Sequence, residues 1–395
     1  MMKQQYSLSH RMQGMSGNVV REILKLTQAP DIISFAGGLP SPDSFPVDEL
    51  RSITAELFAQ DVGFLQYGVT EGLPGLREFA ARWVGDFNIQ AKPENVLVLS
   101  GSQQGIDLAC KALINPGDVI LVEQPTYLAA LQIFKTYEAN VVAVAGDEAG
   151  MLPDALADAI HKYKPRLVYV IPTFQNPSGI CWSLERRQAL SQAAAEHDFI
   201  ILEDDPYGRL RYSGAPVPAI AGVDGLRRSI YLGSFSKVIA PGLRVGYAVA
   251  PPELLQPMII GKQGTDVHTS NLSQQIIMRY AQKGGFEQHL PRVRAQYGEK
   301  CRLMLEMLEK TFPAGSTWTK PQGGLFLWVT LDEGVSTTAL LEQAIAAKVA
   351  FIPGTPFSAS GGCTNCMRLN FSNASPADIE IGIERIAQVI KQSLA

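Results

Sequence analysis

No stretch of this 395-residue sequence is apolar for long enough to cross a bilayer, and the opening MMKQQYSLSHRMQGMSGN is polar where an export signal needs an apolar run. A membrane is therefore not expected as a partner, and a cytoplasmic location follows. Cysteine is scarce and odd in number: Cys110, Cys181, Cys301, Cys363 and Cys366 are too thinly spread for a disulfide framework and suit reduced thiols. Cys363 and Cys366 form a CxxC, but with Gly361, Gly362 and Asn365 around it the motif reads as a loop and not as a zinc or redox site. His10, His161, His197, His268 and His289 are scattered, so no metal centre is expected. Blocks of like charge are also missing; with a formal charge of −4 the chain offers little to a phosphate backbone, and nucleic acid is not expected as a partner. The sequence holds no internal repeat, low-complexity tract or flexible linker.

What is there is ordinary globular material, 46% hydrophobic and 18% charged, in a chain longer than one compact core usually holds, so two domains are expected. From about residue 95 to 250, short β-rich runs alternate with helical patterns: NVLVLS, then 103–114; DVILVEQP, then 127–138; RLVYVIP, then 184–197; FIILEDD; and SIYLGSF. The alternation predicts an α/β domain with a largely parallel sheet. RVGYAVA (244–250), after a turn at Pro241 and Gly242, is placed as an antiparallel strand. Beyond residue 284 the pattern becomes a long amphipathic helix at about 286–312, a strand GGLFLWVTL, a helix at 336–348, short strands VAFIP and MRLNF, and a closing helix from Pro376. This predicts a large domain over 47–285 and a smaller α+β domain over 286–395. The opening 1–46, with one helix near 17–28, packs against the smaller one.

In open parallel sheets ligands collect beyond the carboxyl ends of the strands, and the unusual residues of this sequence stand there. NVLVLS ends in Ser100-Gly101-Ser102-Gln103-Gln104 at a helix start, which suits a phosphate or is simply a capped helix with Ser102 as N-cap. Tyr127 follows DVILVEQP, either as a ring that stacks on a flat heteroaromatic ligand or as a core tyrosine. VYVIPTFQ leads to Asn176-Pro177-Ser178-Gly179, a turn whose Asn can bond a phenolic oxygen. FIIL runs into Glu203-Asp204-Asp205: one carboxylate in a dry site would keep a pyridine nitrogen protonated, and a metal site is the rival reading. SIYLGSF leads to Ser234-Phe235-Ser236-Lys237, with Arg244 seven residues on. Lys237 is either a desolvated, nucleophilic lysine or an exposed helix-start one. Five successive strand ends thus present groups suited to one flat, phosphorylated, pyridine-containing ligand.

Taken with FAGGLPSPDSFP (35–46), LQYGVTEGLPGLREF (65–79), SGSQQG (100–105), QNPSG (175–179), EDDPYG (203–208), GSFSKVIAPGLRVGY (233–247), KQGTDVHTSN (262–271) and MRLNFS (367–372), these features resemble the class I/II aminotransferases of fold type I. Within them, the likeness is to the branch of 2-aminoadipate and kynurenine/aminoadipate aminotransferases. The resemblance covers nearly the whole chain. It implies a fold-type I pyridoxal-phosphate-dependent transferase, a large domain with a mainly parallel sheet plus a smaller α+β domain, with pyridoxal 5'-phosphate as cofactor and amino acids and 2-oxo acids as substrates. Lys237 then resembles the Schiff-base lysine, and Asp204 the partner of the pyridine nitrogen. Asn176 and Tyr207 resemble the pair on the phenolic oxygen, Tyr127 the stacking ring, and Ser102, Gln103, Ser234, Ser236 and Arg244 the phosphate cradle. Tyr67 resembles a tyrosine reaching a phosphate in the neighbouring subunit, which implies a homodimer with shared sites. Arg368 resembles the clamp on the substrate α-carboxylate, Gly38 a substrate-side backbone position, and Arg21 a residue of an N-terminal segment that selects side chains.

The implied reaction is ping-pong transamination, with 2-oxoglutarate or another 2-oxo acid as acceptor. Arg21 would suit a distal carboxylate, so 2-aminoadipate and glutamate are the expected donors, with tolerance for aromatic and aliphatic ones. A β-lyase or decarboxylase on the same fold is the alternative within the class. A non-catalytic, cofactor-binding regulatory domain is the alternative outside it, but no basic helix-turn-helix precedes the aminotransferase-like region here.

Overall fold

The computed structural model describes residues 7, 9–13, 31–60 and 62–394. Its centre is a seven-stranded sheet made of β1 (Val96–Leu99), β2 (Val119–Glu123), β3 (Asn140–Val144), β4 (Leu167–Val170), β5 (Ile200–Asp205), β6 (Ser229–Ser234) and β7 (Gly246–Val249), in the order β1-β7-β6-β5-β4-β2-β3. Neighbours from β6 through β3 pair in parallel, while β7 runs against both β1 and β6, as predicted for RVGYAVA. These strands are unbroken apolar runs because both sheet faces are covered. Leu167, Tyr169 and Ile171 pack with Ile106 and Met258 on one side, and Val168 and Val170 with Leu156 and Leu190 on the other. The edge strand β3 has no counterpart among the predicted runs.

A second sheet, β8 (Thr317–Trp318), β9 (Phe326–Thr330), β10 (Ile352–Pro353) and β11 (Cys366–Asn370), is antiparallel in the order β8-β9-β11-β10. The helices Gly285–Thr311 and Pro376–Leu394 pack together beside it. VAFIP does not form one strand. Val349–Ala350 pairs in parallel with Ile33–Ser34, and only Ile352–Pro353 joins β11. The loop reading of the CxxC needs the same kind of correction: Cys363 lies in a loop at φ +61°, but Cys366 opens β11 because its neighbours pair with β9. Backbone bonds from Phe35 to Ala350 (2.8 Å) and from Asn370 to Phe35 (2.9 Å) stitch residues 33–36 to this region. The helix expected near 17–28, and Arg21 with it, lie outside the described residues.

Candidate active site

The carboxyl ends of β4, β5 and β6 and the turn after β1 open on one cavity of about 270 Å³. Gly38, Ser102, Gln103, Tyr127, Asn176, Asp204, Tyr207, Ser234, Ser236, Lys237, Arg244 and Arg368 all line it. Its apolar walls include Leu128, Ala129, Ile171, Pro206 and Pro241, which the sequence reading does not single out.

Strand alternation separates the three carboxylates at the end of β5. Glu203 accepts the main-chain N–H groups of Ile220 (2.9 Å) and Ala221 (2.8 Å). Asp205 accepts from the Tyr231 hydroxyl (2.9 Å) and Gly208 N–H (2.7 Å). Only Asp204 lines the cavity. Its Oδ2 accepts from the Tyr169 hydroxyl (2.9 Å), whereas its Oδ1 is buried and makes no hydrogen bond, the Ser102 side chain being the other neutral group that acts on the carboxylate. Burial lifts its pKa to about 7, against the opposing pull of the Tyr169 bond. With Glu203 and Asp205 already engaged, the three do not converge on a point a metal would need. Tyr169 is missed by the sequence reading because a tyrosine within RLVYVIP looks like any core residue.

Lys237 follows β6, and its Nζ donates to the Gly38 carbonyl (2.7 Å). Desolvation, reinforced by the cations Arg368 and Arg244, pulls its pKa down to about 8, so the exposed helix-start reading does not hold. Arg368 on β11 is buried; Nη1 donates to Asn176 Oδ1 (2.7 Å) and Nη2 to the Ala36 carbonyl (2.6 Å), while Nε has no partner. Its guanidinium carbon lies 4.4 Å from the centre of the Phe326 ring and 5.1 Å from that of Phe357, which fixes the plane of the fork. Desolvation lowers even this pKa, to about 10.

At the turn after β1, Gly101 and not Ser102 is the N-cap, and Ser102 is the first residue of the helix Ser102–Leu113. The capped-serine alternative is therefore corrected. Gly101 sits at φ +94°, and a Cβ there would lie 2.4 Å from Arg244 Nη2. Arg244 itself is left-handed at φ +53°, an unusual backbone for arginine, and donates from Nη2 to the Ser100 carbonyl (3.2 Å). Serine hydroxyls, a helix N-terminus and a guanidinium thus meet at one end of the cavity, a set that suits a dianionic phosphate.

One expected site residue that is described, Tyr67, is not brought into the cavity. Arg21 lies outside the described residues. Tyr67 is 81% exposed, its ring T-shaped to that of His268 at 5.9 Å between centres.

The family model for aminotransferases of class I and II matches residues 30–386. The chain is 43% identical to aromatic-amino-acid aminotransferase 1 of Thermococcus litoralis, over 98% of this chain and 94% of that protein. It is 41% identical to the 2-aminoadipate transaminase of Thermus thermophilus, over 96% and 95%. The crystal structure of the kynurenine aminotransferase of Pyrococcus horikoshii, in complex with PMP, matches with a TM-score of 0.94 at 42% identity, covering 98% of each chain.

Proposed function

This chain belongs to the class I and II aminotransferases, and we propose that the cavity around Lys237 is where it carries out its pyridoxal 5'-phosphate-dependent transamination. The fold is that of the fold-type I pyridoxal-phosphate-dependent transferases, and the substrates are amino acids and 2-oxo acids. The observation that carries the assignment is the unpartnered, buried Asp204 Oδ1 in the same cavity as the Lys237 amine. Such an acceptor fits the protonated nitrogen of a pyridine ring. Ser102, Gln103, Ser234, Ser236 and Arg244 fit its phosphate, Tyr127 offers a ring face, and Asn176 and Tyr207 suit the phenolic oxygen.

When bound, the cofactor supplies the electron sink that makes the amino-acid Cα proton labile. The remaining work belongs to this chain's own side chains. Arg368 holds the α-carboxylate shared by donor and acceptor, which lets two substrates use one site in turn, with 2-oxoglutarate as the expected acceptor. Lys237 Nζ, whose neutral amine form is favoured by desolvation, takes the Cα proton of the donor in one half-reaction and gives a proton to the Cα of the new amino acid in the other. The names of these three more similar relatives favour neither the lyase and decarboxylase alternative nor the regulatory one.

Donor breadth follows from the relatives, which are named for aromatic amino acids, 2-aminoadipate and kynurenine, and from the largely apolar Leu128, Ala129, Pro206 and Pro241 on the cavity wall. Arg21 is assigned to distal carboxylates. The working unit is a homodimer: Tyr67 stands exposed among exposed Leu65, Val69 and Val62, an apolar stretch suited to a second copy whose site Tyr67 completes. In this reading residues 47–285 carry the cofactor side, residues 286–395 with 1–46 carry the substrate side, and the five free thiols suit the cytoplasm.

Borohydride reduction of the holoenzyme followed by peptide mapping tests the assignment: label is expected on Lys237, and label on any other residue overturns it. A donor panel with 2-oxoglutarate, scored by kcat/KM, tests the breadth. Arg21→Ala is expected to penalise acidic donors relative to aliphatic ones, and an unchanged ratio refutes that role.

A further inference from the structure

Lys262 and Asp266, in the KQGTDVHTSN stretch, take no part in the chemistry above. Yet the Lys262 side chain, near the end of the helix Pro252–Gln263, is fully buried. Packing alone does not explain an ammonium there, since an apolar side chain of similar length would fill the space without desolvating a charge. What distinguishes lysine is where its bonds go. Nζ donates to Asp266 Oδ1 (2.8 Å) and Oδ2 (2.9 Å), to Gln104 Oε1 (2.9 Å) and to Thr269 Oγ1 (3.1 Å).

These partners lead back to the turn after β1. Gln104 Oε1 also accepts the main-chain N–H of Ser100 (2.8 Å), and Gln104 Nε2 donates to Asp266 Oδ2 (2.8 Å). The Ser100 hydroxyl donates to Asp266 Oδ2 (2.7 Å), and the Ser100 carbonyl accepts from Arg244 (3.2 Å). Ser100 is therefore held at its amide, hydroxyl and carbonyl, directly before Gly101-Ser102. The anchor is itself fixed, because the Thr269 carbonyl accepts from Gln274 Nε2 (2.8 Å) while Gln274 Oε1 accepts the Leu73 N–H (2.8 Å).

We infer that Lys262 and Asp266 are positioning residues that hold the Ser100-Gly101-Ser102 turn and Arg244 in place for a phosphate group, and so set cofactor affinity without touching the cofactor. This rests on the reading of that turn as the phosphate side of the site. The ratio of the dissociation constants of pyridoxal and pyridoxal 5'-phosphate, measured on cofactor-depleted protein, isolates the contribution of the phosphate. Lys262→Met and Asp266→Asn are each expected to lower that ratio by about tenfold or more, the loss of one well-aligned charge-assisted contact. A purely structural role would weaken both ligands alike and leave the ratio unchanged. Asp266 keeps some solvent contact, so Asp266→Asn carries the test should Lys262→Met fail to fold. Arg244→Gln separates the two ideas. If it leaves the ratio unchanged, the turn is not the phosphate site and the proposed reading falls. If it lowers the ratio while the Lys262 and Asp266 variants do not, the reading stands and this inference is overturned.

Discussion

Lys237 sits in the cavity with one neutral partner, the Gly38 carbonyl at 2.7 Å, and with Arg368 and Arg244 as the charges that act on it. Its pKa falls from 10.5 to about 8, chiefly by desolvation. In the unfolded chain the same lysine titrates at its ordinary value. Between pH 8 and 10.5 the unfolded state therefore holds a proton that the folded state lacks, and stability rises with pH. Below that window both states are protonated, and the folded protein bears the full cost. That cost is at most about 3.5 kcal/mol, from roughly 1.4 kcal/mol per pH unit, and is reduced to about 3 kcal/mol by the solvent contact the residue keeps. Lys237→Met removes the charge at similar length and gives up one hydrogen bond worth about 1 kcal/mol. In urea unfolding of cofactor-depleted protein at pH 7, the variant is expected to exceed the wild type by about 2 kcal/mol. The two should converge by about 2 kcal/mol as the pH is raised to about 9.5. Stability curves that run parallel would refute the desolvated lysine, and with it a neutral base available near pH 7.

Arg368→Gln should lower kcat/KM by about 100-fold for every amino donor, the loss of a charge-assisted pair worth roughly 3 kcal/mol, and a loss confined to one donor class would contradict the α-carboxylate role. Gly101→Ala combines a left-handed backbone with a Cβ 2.4 Å from Arg244 Nη2. A stability loss of about 1–2 kcal/mol with weaker cofactor binding is expected, read by thermal melting and cofactor titration. Trp182→Phe deprives the buried Glu123 carboxylate of the Trp182 Nε1 donor at 2.8 Å. Burial has already raised that carboxyl to about 7, so the fold loses stability as the pH climbs from 4.5 through 7, where the unfolded chain has released the proton that the buried carboxyl keeps. The variant should therefore be weaker by about 1–3 kcal/mol at pH 8 and closer to the wild type at pH 5, by urea unfolding.

Strands covered on both faces must be unbroken apolar runs, which is why β1, β2, β4, β5 and β6 are legible in the sequence. The edge strand β3 is not, because its NVVAV is only partly buried. VAFIP misleads for a related reason: an apolar run shows that a segment is buried but not which partner it pairs with, and here two partners divide it. The candidate site is legible as a list because α/β alternation sends every residue after a strand to the same edge. Tyr67 escapes a monomer's geometry, since its expected contact lies in a second subunit.

The sequence by itself determined the kinds of groups at the strand ends and their order, since local periodicity alone places those groups at one edge of the sheet. The tertiary structure decided what each group can do. Which of three adjacent carboxylates keeps an oxygen without a hydrogen bond depends on Ile220, Tyr231 and Tyr169, residues that only the folded sheet brings near. The proton affinity of Lys237 and the anchoring of Ser100 by Lys262 likewise come from desolvation and hydrogen bonds between segments far apart in the chain, and no local pattern records them.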